Sequence, residues 1–156
     1  FVKLNPKYKG ICMIGLSGGG WTTTLAPAID SRIDLSIPVA GSYPLILRPI
    51  YPGSTGDLEQ LQPALYKDRA SYLDLYILGS YGKGRKQIQL LNQYDTCCFY
   101  GFGSNTYKDI VSQVVIKLGA GNYQCAIDSS HKSHQISPWA IKEIIAPAIE
   151  ALIKAE

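Results

Sequence analysis

Charge, histidine and ligand-like cysteine spacing are all scarce in this sequence, and each scarcity excludes something. Only 17% of the 156 residues are charged while 46% are hydrophobic, which suits one compact domain with a sizeable core. The net charge of +3 is weak and scattered, which argues against a nucleic-acid partner. The one short basic cluster, Lys83, Arg85 and Lys86, reads as a solvated loop. No apolar run approaches the length of a membrane-spanning helix, so no membrane partner is expected. The opening FVKLNPKYKG lacks an apolar h-region and a small-residue cleavage site, and does not read as a signal peptide. The four cysteines show no metal-type C-x-x-C spacing. Cys12 and Cys125 lie in apolar strand-like runs and read as small core residues, whereas Cys97 and Cys98 are adjacent. One disulfide is compatible with this set, with no pairing legible. Repeats and low-complexity tracts are absent.

What is present alternates short apolar runs with longer helical stretches. Strands are expected at Gly10–Ile14, Leu35–Ala40, Gln87–Asn92 and Tyr123–Ile127, although Pro38 is awkward inside a strand. Helices are expected at about Gly19–Ile29, Thr106–Leu118 and from Pro138 to the C-terminus, where Ser137 supplies an N-cap and Pro147 a kink. The middle piece, about 43–84, begins rich in proline and glycine. It then takes helical spacing through Leu58, Leu61, Leu65, Tyr72, Leu75 and Tyr76, with Pro63 as a break. The order β-α-β-(helical insert)-β-α-β-α predicts an α/β three-layer sandwich. Its short parallel sheet of about four strands is flanked by helices, in one domain over 1–156.

The most informative stretch is ICMIGLSGGGWTTTLA, where residues 15–19 read G-x-S-x-G between a strand and a helix. That is the setting of a nucleophile elbow, a sharp turn that projects a serine Oγ above the sheet edge. Ser17 is the candidate nucleophile. Gly15 and Gly19 are expected to be small because larger side chains would collide across the turn, and Gly20 leaves room for close helix packing. The Gly18 amide, at a helix N-terminus, is a candidate oxyanion donor. A phosphate loop is excluded because no G-K-[ST] follows, and a dinucleotide fingerprint fails on spacing.

Through GLSGGGW, the later NQYD and the closing SHQISPWA, the chain resembles the α/β-hydrolase fold serine esterases over nearly its whole length. The resemblance implies the order Ser, then acid, then His. Asp95, just past the third strand, is the expected acid, ahead of Asp109 and Asp128. Both histidines of the chain, His131 and His134, fall in DSSHKSHQISPWA, the loop that should supply the base. Loop length favours His131, while the H-x-I-S pattern of small carboxylesterases implies His134, with His131 as the alternate. The resemblance also implies an acyl-enzyme mechanism with no metal or organic cofactor. It makes the middle piece a cap-like insert, whose tyrosines (Tyr43, Tyr51, Tyr66, Tyr72, Tyr76) either line a pocket or pack in the core. Trp21 and Tyr43 are candidate substrate contacts.

The chain departs from the family at its start. Family members carry several strands before the elbow and an early loop that supplies a second oxyanion donor; only about nine residues precede the first strand here. Losing one such donor costs about 2.7–4 kcal/mol of transition-state stabilisation. Three expectations follow: a fragment of a longer protein, a partner chain carrying the missing N-terminal strands, or pairing with another copy. The first two are preferred. The functional readings are a serine hydrolase of carboxylic esters, a peptidase or amidase on the same triad, or a non-catalytic binding module. Intact Ser, Asp and His in the right order favour catalysis.

Overall fold

The computed structural model describes residues 8–49 and 56–154; Tyr51 lies outside them. Four parallel strands form one sheet in the order β1-β2-β3-β4: β1 (Cys12–Leu16), β2 (Leu35–Val39), β3 (Lys86–Asn92) and β4 (Asn122–Asp128). All five residues of β2 are buried, and so are six of the seven in β3. A parallel strand between helical layers has no wet face, so even the polar residues Ser36, Gln87, Gln89 and Asn92 of these strands are buried. β1 is half-buried, with Ile14 exposed. Pro38 is accommodated inside β2. The β2–β3 pairing holds at Leu35 and Ser36, skips the next two positions and resumes at Val39, so the missing N–H falls in a gap of the ladder.

Helices cover both faces. One face carries α1 (Gly18–Ile29), α3 (Tyr72–Ser80) and α4 (Lys108–Lys117). Trp21, Tyr76, Val111 and Val115 are buried there against Leu91 and Tyr123 of the sheet. The other face carries the C-terminal helical segment, whose Ala140, Ile145 and Ala148 pack on Leu35, Ile37, Val39, Ile88 and Leu90. Burying a side chain of this size contributes about 1.5–3 kcal/mol. The alternation along β3 is clean: Ile88 and Leu90 face one layer while Gln87, bonded to Ser36, Gln89 and Leu91 face the other. Gln89 is buried without loss because Tyr107 and Tyr123 donate to its Oε1 at 2.8 and 2.7 Å and its amide donates to Ser42 O.

The middle piece breaks where Pro63 requires. A 3-10 turn over Leu58–Leu61 is followed by α2 (Pro63–Tyr66), with Pro63 at its first position, and then by α3. Ser71 and Asp74 form a reciprocal capping box at the start of α3. Tyr72 and Tyr76 are buried between α3, α1 and the sheet, and Tyr66 packs partly against the same cluster. The C-terminal segment is α5 (Pro138–Ala140), a π turn over Ile141–Ile145 and α6 (Ala146–Lys154). The widened turn immediately precedes Pro147, whose ring would otherwise crowd the carbonyl four residues back.

The basic cluster behaves differently from its sequence reading. Arg85 is buried, not solvated, and donates to the carbonyls of Pro27, Ile33, Leu78 and Tyr81. It thereby satisfies the orphan carbonyls where α1 and α3 end. Its place is set by tertiary contacts that charge counting does not reveal.

Candidate active site

The β1–α1 turn is the most constrained backbone in the site. Ser17 stands at φ 59°, ψ −120°, a conformation costly for any residue but glycine. Its position at the N-cap of α1 would ordinarily commit the hydroxyl to a helix N–H. Here Ser17 makes no side-chain cap bond, so the Oγ is not spent on the helix. Gly15 is needed: a Cβ there would collide with the Gly19 carbonyl across the turn. Gly20 likewise lies too close to Val39 O and Gly41 for any side chain. Gly19 departs from expectation, because a Cβ there would meet nothing within 4 Å; the crowding lies on the Gly15 side of the turn. The helix then has Thr22, Thr23 and Thr24 folding their hydroxyls back to the carbonyls of Gly18, Gly19 and Gly20. Gly18 follows Ser17 at the positive end of α1, and the exposed Asp57 carboxylate stands 3.2 Å from where a Gly18 Cβ would be.

Asp95 lies just past β3 and is 5% exposed. Its Oδ1 accepts from the amides of Cys97 and Cys98 at 2.7 and 3.2 Å. Its Oδ2 accepts from Asn92 Nδ2 at 3.1 Å and lies 2.8 Å from His134 Nδ1. Burial pushes the Asp95 pKa up, but the bonds from His134, Cys97, Asn92 and Cys98 outweigh it, and the carboxyl sits below its ordinary value. The loop that follows is pinned by Phe99, a buried residue at φ 55° whose ring meets Tyr43 edge-on at 5.9 Å. Tyr43 OH also donates to Tyr100 O at 2.9 Å.

The two histidines land differently. His134 points Nδ1 at Asp95, while its Nε2 is buried with no hydrogen-bond partner among the described residues. His131 stays within its own loop. Its Nε2 is 3.3 Å from Asp128 Oδ2, outside hydrogen-bond geometry. Asp128, fully buried, accepts from both the amide and the hydroxyl of Ser130. It also accepts from Ser137 Oγ, the residue that caps α5 by accepting from Ala140 N. Burial raises the Asp128 pKa, but the Ser130 and Ser137 bonds and the nearby His131 lower it further, for a net value below ordinary. Asp128 thus ties the start of the 128–137 loop to its end.

Two residues of the site went unread in the sequence. Asn92 donates to both Asp95 Oδ2 and Gln135 O, so it joins the acid loop to the histidine loop; a buried polar residue closing an apolar strand was its only signal. Asp128, ranked behind Asp95 as an acid, instead anchors a turn, for which the polar run D-S-S-H behind it is the signal. Conversely, Trp21 is 3% exposed and Tyr43 fully buried. Trp21 lies 5.6 Å from the Tyr72 ring, and Tyr43 holds the acid loop. Neither presents a free ring surface to a ligand.

No family model matches the sequence, and no curated protein matches it. Solved structures do match its chain path. An acylaminoacyl peptidase from Pyrococcus horikoshii superposes with a TM-score of 0.62 at 18% identity, over 99% of this chain and 26% of that one. The dipeptidyl peptidase 4 of Porphyromonas gingivalis gives 0.56 at 14% identity, over 96% of this chain and 20% of that one. A protein of Klebsiella pneumoniae assigned as a dienelactone hydrolase gives 0.53 at 11% identity, over 92% and 52% respectively. The likeness establishes the fold: this chain has the α/β-hydrolase fold. It spans about a quarter of the first of these proteins and about half of the last.

Proposed function

We propose that this chain carries the catalytic part of a serine hydrolase that cleaves carboxylic esters through an acyl-enzyme. One observation carries the reading: His134 is anchored through Nδ1 to the buried Asp95 while Nε2 is left without a partner. A ring held through Nδ1 by a carboxylate, with Nε2 to spare, is the orientation a general base needs. In this mechanism His134 Nε2 takes the Ser17 proton as Oγ attacks the ester carbonyl. The Gly18 amide, aided by the dipole of α1, holds the developing oxyanion. His134 returns the proton to the departing alcohol, and water then releases the acid. Asp95 stays ionised throughout and stabilises the imidazolium. Asn92 and Asp128 are positioning residues, the first for the acid and the second for the loop that carries His134.

Amides are the second substrate class. Two of the structural neighbours named above are peptidases, and the same three groups perform acyl transfer from an amide. The half-buried β1, at the sheet edge among the described residues, is the place for a further strand. We assign to that added segment, from a longer chain or a partner, the second oxyanion donor. The test is hydrolysis of matched p-nitrophenyl esters and p-nitroanilides by the chain and by Ser17→Ala. Slow ester turnover that vanishes in Ser17→Ala supports the reading. Turnover unchanged by Ser17→Ala overturns it, anilides cleaved as fast as esters reassign the substrate class, and a fast rate from the monomeric chain removes the need for an added donor.

A further inference from the structure

Cys97 and Cys98 are joined by a disulfide in the loop behind Asp95. Their two sulfurs and a ring nitrogen of His134 all lie within 4.8 Å of one another. Cys97 is exposed and Cys98 half-buried, so the pair is reachable from solvent. The other two cysteines differ. Cys12 and Cys125 are free thiols in β1 and β4, and burial raises both pKa values, that of Cys125 to about 11.

We propose that reduction of the Cys97–Cys98 bond opens a site for one thiophilic cation of the zinc class, held by both sulfurs and His134, and that filling it switches the hydrolase off. The switching rests on the reading of His134 as the base. A dithiol reductant supplies two electrons and two protons; the S–S bond breaks, two thiols form and the reductant closes to its own disulfide. The cation then displaces both thiol protons to solvent and forms two metal–sulfur bonds and one metal–nitrogen bond. Two thiolates with an imidazole suit zinc, cadmium or cobalt and disfavour magnesium and calcium.

The dimensions are compatible. Bonds of about 2.3 Å to sulfur and 2.0–2.1 Å to nitrogen separate tetrahedral ligands by roughly 3.3–3.8 Å, so the donors need only a small approach once the sulfurs part. His134 is already oriented by a carboxylate, as metal-bound histidines are. A cation on Nε2 occupies the lone pair that would take the Ser17 proton. A cation on Nδ1 displaces the bond to Asp95. Either way Ser17 loses its base.

The test is a cobalt(II) titration under argon, before and after reduction by a phosphine, which does not compete for the metal as a thiol would. The expected result is one equivalent bound only after reduction, with a thiolate-to-cobalt charge-transfer band. Cys97→Ser and Cys98→Ser should each weaken binding at least about tenfold, while the Cys12→Ser/Cys125→Ser double variant keeps the band. Fluorophosphonate labelling of Ser17 should fall with occupancy and return on chelation. No band after reduction, an undiminished band in Cys97→Ser, or equal binding before reduction overturns the site. The band is read without activity. A chain that binds cobalt but never labels therefore keeps the site and loses the hydrolase reading, whereas labelling without a band does the reverse.

Discussion

Two histidine–aspartate pairs share one loop, and they are built for different work. His134 reaches across 39 positions to Asp95 and bonds it at 2.8 Å, with Nε2 left over. His131 sits three residues from Asp128, at 3.3 Å and outside bonding geometry, and the Asp128 oxygens are occupied by Ser130 and Ser137. Both aspartates are buried, and both are held below their ordinary pKa. The difference lies in what each carboxylate faces. Asp95 meets the histidine from another element and so fixes its orientation. Asp128 meets hydroxyls and an amide of its own loop and so fixes the loop. A shifted carboxylate beside a histidine is therefore not enough to assign a catalytic pair; what separates the two is the bond that orients the ring, which His134 has and His131 lacks, and the origin of the partner.

The comparison is broken most severely at the histidines. His134→Ala should lower kcat/KM for a p-nitrophenyl ester by about 10³-fold or more, while His131→Ala changes it less than about tenfold; steady-state assays of both variants check this. The aspartates should part in the same direction but by different observables. Asp95→Asn should cost about 10³–10⁴-fold in activity because the amide stabilises the wrong tautomer. Asp128→Asn removes charge-assisted bonds worth about 2–3 kcal/mol, a Tm decrease of roughly 5–10 °C in thermal melts, with a smaller loss of rate. Ser137→Ala, which loses both the cap of α5 and the bond to Asp128, should cost about 1–2 kcal/mol by urea denaturation. The smallest effect is in acid. Both folded-state carboxyls lie below the unfolded value of about 3.9, so their stabilisation is complete above that pH and drains away as pH falls through the folded values. Asp128→Asn should flatten the loss of stability below about pH 4, measured as Tm against pH.

Much of the fold was legible because short apolar stretches alternate with segments of helical spacing, the pattern of a parallel sheet between helices. Each of the four strands lies within two residues of its expected ends, and Ser17 stands at positive φ in the turn between β1 and α1. Asp95 and His134, both singled out in the sequence, meet at 2.8 Å. What was hidden depends on partners far along the chain. Arg85 reads as a surface cation until Pro27 and Ile33 carbonyls close around it. Asn92 shows its value only when Asp95 and Gln135 meet it. Tyr43 reads as a ligand contact because a tyrosine of a cap-like insert suits either role, and only the Tyr100 carbonyl and the Phe99 ring decide. The choice between His131 and His134 was open for the same reason: loop length counts residues, whereas orientation needs the opposing carboxylate.

The most direct measurement is the rate at which a fluorophosphonate labels Ser17, with the adduct located by peptide mass, in the natural chain, His134→Ala and His131→Ala. The expected result is an adduct on Ser17 whose rate collapses in His134→Ala and persists in His131→Ala. No adduct on Ser17, or a rate that depends on His131 instead, would contradict it.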